Sequence, residues 1–142
     1  TGLEGIGEAD SSPEMVKAVI DAPFSHNVAT GLRTLLVGEN PLEVDRIWQK
    51  MYRRTMYAGR RGVTITAMSA IDMALWDLKG KHFGEPIHRL LGGKRHSRIL
   101  AYASILFGKN GDETAKIGQR WREAGYRAVK FGWGPMGQSE AS

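Results

Sequence analysis

Three features of the sequence predict an α+β domain followed by a parallel strand–helix–strand unit. The first is a long helix with a stripe of small side chains. Ala67, Ala70, Ile71, Ala74, Leu75 and Leu78 recur at i, i+3, i+4, i+7, i+8 and i+11, the spacing of one helix face. The second is a pair of helix starts upstream, Ser11-Ser12-Pro13-Glu14 and Asn40-Pro41-Leu42-Glu43. Each combines a capping side chain with a proline at the first helical position. The third is the uncharged apolar run Ile99–Phe107, then a helical stretch, then Tyr126–Phe131. Strand, helix and strand over about 30 residues is the span of one βαβ unit. The change of pattern places the domains at 1–96 and 97–142.

Taken in order, Thr1–Ala9 reads as a weak strand, because Glu4, Ile6 and Glu8 alternate with Leu3, Gly5 and Gly7 and glycine is a poor strand former. The first helix starts at Ser11 or Ser12, buries Met15, Val16, Val19 and Ile20, and stops at Pro23. Leu32, Leu35 and Leu36 predict a turn or two of helix. From Asn40 an amphipathic helix sets Val44, Ile47, Trp48, Met51 and Tyr52 on one face and Asp45, Arg46, Gln49, Lys50 and Arg53 on the other. Tyr57–Gly62 is a loop, after which Thr64 or Thr66 caps the long helix. Asp72 and Asp77 on that helix need a partner or an exposed edge, because burying a lone charge is costly. Gly80 and Gly84 suit a left-handed helix end, Pro86 opens a short helix, and Gly92-Gly93 closes it. Ile99–Phe107 reads as a strand buried on both faces, with Asp112 capping the next helix.

Composition is that of a globular protein, and the chain is long enough for one ordinary core. It has no cysteine, which excludes disulfides and thiolate metal sites and fits a cytoplasmic setting. No apolar run approaches the ~20 residues of a membrane span. The net charge of +5 comes from clusters at Arg53-Arg54, Arg60-Arg61 and Lys94-Arg95 with Arg98. Acidic residues are interspersed with these and no nucleic-acid-binding motif accompanies them, so an anionic substrate or a subunit interface is the expected partner. Arg60, between Gly59 and Gly62, is placed to clamp a carboxylate or phosphate, and the same loop also reads as a solvated turn. Ser11 and Ser12 read as caps. No Gly-x-Gly-x-x-Gly opens the second-domain helix, so a dinucleotide site is not supported. In a parallel barrel the chemistry stands at the C-terminal ends of the strands, which singles out Ser104 and Lys130.

The text A-I-D-M-A-L-W-D-L-K-G-K followed by P-I-H-R-L-L-G-G (70–81 and 86–93), with A-G-Y-R-A-V-K-F-G-W-G (124–134), resembles the enolase superfamily in its mandelate racemase and muconate lactonizing enzyme branch. The resemblance implies an α+β capping domain followed by the first βαβ unit of an α/β (TIM-type) barrel, and a chain that is part of a longer protein. It further implies magnesium-assisted dehydration of a sugar acid: proton abstraction alpha to the carboxylate, an enediolate, and loss of the beta hydroxyl. The magnesium ligands would come from later strands, so none is assigned here.

The family's second-strand motif is Lys-x-Lys, and Lys130 matches the first lysine. The second position is Gly132, which has no side chain to act as a base. Lys130 is therefore expected in an electrostatic or proton-transfer role, with Ser104 as a substrate contact and Trp133 lining the pocket beside Gly132. Ser11 and Ser12 would lie near a loop that closes over the substrate, and Arg60 would face its anionic part. A homo-oligomer is expected, with neither nucleic acid nor membrane as partner. Two other readings stay open. One is a racemase or cycloisomerase of the same superfamily, and the other is a non-catalytic module that kept the fold.

Overall fold

The structure, a computed structural model, describes residues 2–10 and 12–132. The chain divides between Lys94 and Arg95 into two compact units.

The first unit is helical. Its elements are α1 (Pro13–Asp21), α2 (Leu32–Leu36), α3 (Val44–Arg54), α4 (Val63–Phe83) and α5 (Ile87–Leu90). The 21-residue α4 is its spine, and α1, α3 and α5 all pack against it. Val16 of α1, Leu32 and Leu35 of α2, Ile47 and Met51 of α3, and Ala67 and Met68 of α4 form the buried core. Withdrawing a large apolar side chain of this kind from water stabilises a fold by about 1.5–3 kcal/mol. Trp48, Ile71 and Leu75 close the core's edge. At the rim, Glu39 receives Arg46 and Lys50, and the Lys50 ammonium also donates to the Leu35 carbonyl at 2.9 Å. These contacts tie α3 to the end of α2.

Among the described residues the strand expected at Thr1–Ala9 has no partner strand, and residues 2–10 carry no regular secondary structure. They lie against α4 instead. A Cβ on Gly5 would fall well inside 3.0 Å of the Ala74 carbonyl oxygen, and one on Gly7 equally close to that of Ala70. The small stripe of α4 therefore serves a backbone-to-helix contact, and the glycines that weaken a strand are what permit it. Polar groups fix the register. The Ile6 amide donates to Asp77 Oδ2 at 2.8 Å, and Lys81 Nζ donates to Asp77 Oδ2 at 2.7 Å and to the Glu4 carbonyl at 2.8 Å.

Several caps differ from expectation. Ser12 stands at the N-cap of α1, but its hydroxyl donates to Glu14 Oε2 at 3.1 Å rather than accepting an amide. Asn40 closes a turn instead of a helix. Its Oδ1 accepts from the Leu42 amide at 3.2 Å, and α3 begins later, at Val44. Gly62, at φ 67°, opens α4. Thr64 and Thr66 lie inside its first turn and donate to the carbonyls of Ala58 and Gly62. Gly84 ends α4 in the left-handed conformation, whereas Gly80 is helical and buried. Gly92 and Gly93 follow α5 at positive φ.

The second unit contains β1 (Ala103–Leu106), α6 (Gly111–Glu123) and β2 (Val129–Gly132), with the two strands parallel. Asn110, not Asp112, caps α6, its Oδ1 accepting the Glu113 amide at 2.9 Å. The strand expected over Ile99–Phe107 shortens to four residues, and it is not buried on both faces. Among the described residues α6 covers one face of the sheet, and Ser104 and Leu106 on the other face are exposed.

The crowding around Gly7 and the open space at Gly111 give opposite expectations. Gly7→Ala is expected to destabilise the protein by about 1–3 kcal/mol through overpacking. Gly111→Ala, where nothing lies within 4 Å of an added Cβ, is expected to change little, and urea unfolding compares the two. The two α4 aspartates respond oppositely to pH. Burial, and then the charge of Asp45, raises the Asp72 carboxyl above its ordinary 3.8. The native state therefore penalises ionised Asp72, and the penalty is complete once pH exceeds the raised value. Asp72→Asn should raise Tm at neutral pH and have no effect near about pH 3. Asp77 is lowered, first by Lys81 and then by the Ile6 amide. Its contribution is present above 3.8 and is lost as pH falls through the lower folded value, which exchange of the Ile6 amide would report.

Candidate active-site face

The parallel ladder pairs Ala103 with Val129, Ser104 with Lys130, Ile105 with Phe131 and Leu106 with Gly132. Alternate residues of a strand point to opposite faces, so this register sorts the side chains into two sets. Ala103, Ile105, Val129 and Phe131 share the face toward α6. The Phe131 ring comes within 3.4 Å of where a Cβ on Gly118 of α6 would stand, and it stacks on Phe107 with centroids 5.5 Å apart. Ala103 is buried. The opposite face carries Ser104, Leu106, Lys130 and Gly132.

Ser104 and Lys130 are thus neighbours on adjacent strands, both exposed. Lys130 is the charged side chain that β1 and β2 present on this face, and Ser104 places a hydroxyl donor and acceptor beside it. A primary amine next to a hydroxyl can bind a carboxylate and exchange a proton with a group held against it. Leu106 and Gly132 form the next row toward the strand ends. Leu106 is 60% exposed, and Gly132 leaves bare backbone beside it.

The other sequence-predicted residues are placed elsewhere. Ser12 and Arg60 belong to the first unit. The Arg60 guanidinium lies over the Tyr52 ring, 4.5 Å from its centroid. This cation–π contact leaves the side chain exposed. Tyr52 falls on the apolar face of α3, and sequence spacing carries no sign that the glycine-flanked loop folds back over its ring. Ser11 and Trp133 lie outside the described residues. A groove of about 640 Å³ on the first unit, bordered by Ile6, Met73, Trp76, Ile87 and Leu91, contains none of the predicted residues. Among the described residues no three His, Asp or Glu side chains gather to hold a metal ion, and no helix is long and apolar enough to cross a membrane.

A helical unit built on one long helix, followed by a parallel βαβ unit with a lysine on its open face, defines the class: a capping domain joined to strand–helix–strand text of the enolase superfamily. The family model for the N-terminal domain of mandelate racemase / muconate lactonizing enzyme matches residues 1–92, and the chain belongs to that family. A D-mannonate dehydratase from Novosphingobium aromaticivorans is 35% identical over 141 residues, covering 99% of this chain and 33% of the relative. A D-galactarolactone cycloisomerase from Agrobacterium fabrum is 38% identical over 106 residues, covering 70% of this chain and 28% of the relative. The crystal structure of a racemase from Streptomyces coelicolor A3(2) with bound magnesium superposes with a TM-score of 0.72 at 30% identity, covering 89% of this chain and 34% of that one. The chain therefore spans about a third of the length of the relatives it matches.

Proposed function

We propose that the chain is the capping domain and barrel start of a magnesium-dependent hydro-lyase acting on a sugar acid of the aldonate or aldarate type. The observation that carries this reading is the Ser104–Lys130 pair. It puts an amine and a hydroxyl on the one sheet face that α6 leaves open, within a chain whose relatives include sugar-acid dehydratases. In the proposed reaction the proton alpha to the carboxylate is removed, and the beta hydroxyl leaves with a proton as water. The resulting enol tautomerises to a 2-keto-3-deoxy acid.

Lys130 serves the alpha carbon and its carboxylate, by charge or by proton transfer, and Ser104 hydrogen-bonds the bound acid. The described residues supply no ligand set for magnesium, so no step is assigned to the ion here. The ion would be held by residues outside them, and chelation is expected to abolish turnover. Ser11, Ser12, Arg60 and Trp133 are proposed as further substrate contacts, with Arg60 suited to an anionic group. The working form is proposed to be a homo-oligomer in the cytoplasm, with neither nucleic acid nor membrane as partner.

The test is a screen of aldonic and aldaric acids with magnesium on the complete gene product, its intact mass read first and 2-keto acid formation followed. Lys130→Met is expected to lower kcat by about 10²-fold or more, the contribution typical of a positioned acid–base group. Lys130→Arg, which keeps the charge and cannot deprotonate in proteins, separates the two roles of the lysine. Partial rescue means an electrostatic role, and loss equal to that of Met means proton transfer. No turnover of any acid in the screen would remove the hydro-lyase reading.

A further inference from the structure

The chain has three asparagines, Asn27, Asn40 and Asn110, and the residue after each decides how its side chain can react. An asparagine loses ammonia when the backbone nitrogen of the next residue attacks its side-chain carbonyl carbon. Asn40 precedes Pro41, which has no N–H to give up. Asn27 precedes Val28, whose branched side chain crowds the nitrogen, and its Oδ1 accepts from the Arg54 guanidinium at 3.1 Å. Asn110 precedes Gly111, where no side chain shields the nitrogen. Both residues are exposed, and they stand where the turn after β1 enters α6.

The fold holds this pair apart. Asn110 Oδ1 accepts the Glu113 amide at 2.9 Å, so the side chain is committed to the cap rather than to the Gly111 nitrogen. The backbone around it is pinned as well. Glu113 Oε2 accepts the Lys109 amide at 2.8 Å, and Thr114 Oγ1 accepts the Gly108 amide at 3.0 Å and donates to the Asn110 carbonyl at 2.9 Å. We propose that Asn110–Gly111 is a site of spontaneous deamidation gated by the α6 cap. When the first turn of α6 opens, the Gly111 nitrogen gives its proton to solvent base and bonds to Asn110 Cγ. Ammonia leaves with a proton from water, and a cyclic succinimide remains. Water then opens the ring. Cleavage between the nitrogen and Cγ gives aspartate, and cleavage between the nitrogen and the backbone carbonyl carbon gives isoaspartate. Aspartate keeps the cap acceptor and adds a negative charge where the helix dipole favours one. Isoaspartate routes the main chain through the former side chain, which lengthens it by a methylene and removes the cap. The proposal is independent of which acid the protein takes.

The experiment ages the complete gene product at mildly alkaline pH, folded and in urea. Peptide mass mapping follows Asn27, Asn40 and Asn110, and an isoaspartyl methyltransferase detects isoaspartate. In urea Asn110 is expected to deamidate faster than the other two, and an equal rate overturns the site. In the folded protein Asn110 is expected to react more slowly than in urea, and equal rates overturn the gate. Thr114→Val removes the hydroxyl that pins Gly108 and the Asn110 carbonyl. It is expected to raise the folded-state rate by about fivefold, the factor that roughly one hydrogen bond of stability carries. Glu113→Ala, which frees the Lys109 amide, decides the same point if the valine variant does not fold. No acceleration in a folded variant overturns the gate. Gly111→Ala, whose added Cβ meets nothing within 4 Å among the described residues, is expected to slow the reaction in urea while Tm stays nearly unchanged. An unchanged rate there overturns the role of the bare Gly111 nitrogen.

Discussion

The close approach of an extended backbone segment to α4 is the constraint on which the rest of the first unit depends. A chain segment can lie directly on a helix only if both surfaces lack bulk. Here Gly5 and Gly7 remove it from one side, and Ala70 and Ala74 keep it small on the other. Asp77 and Lys81 then fix the alignment by taking up the Ile6 amide and the Glu4 carbonyl. With one side of α4 committed to this contact, another meets α1 and α3 through Ala67 and Met68. The helix is thus used on several sides at once, which is why it is only partly amphipathic although it is the spine of the unit.

Among the described residues, α6 covers one face of the two-stranded parallel sheet, through Phe131 against Gly118. The face left open is the one that carries Lys130 and Ser104. The short ladder sets the spacing of the reactive groups, because the register alone decides that lysine faces serine and leucine faces glycine.

Much of this was legible in the residues. The periodicity of 67–78, the proline at the start of α1, the punctuation by Gly84, Gly92 and Gly93, and the βαβ order are all local signals, and each has a local physical cause. The family was legible because runs such as A-I-D-M-A-L-W-D-L-K-G-K preserve both the helix and its small stripe. Sequence and structure differ where a residue type has two uses. Asn40 caps a turn as readily as a helix. Thr64 and Thr66 donate to carbonyls from inside the first turn. Gly5 and Gly7 weaken a strand but permit a close contact. Arg60 had a ring within reach that no sequence spacing could announce.

By itself the sequence determined the order and type of most elements and the family, since hydrophobic period, caps and glycine placement act over a few residues. Only the tertiary structure decided what the small stripe of α4 is for, which Asp on α4 finds a partner, and which side chains stand beside one another on the open sheet face. Those depend on contacts between residues distant in the chain, such as Ile6 with Asp77 and Ser104 with Lys130. Their geometry is set by close packing and strand register, and neither is encoded in any single window of sequence.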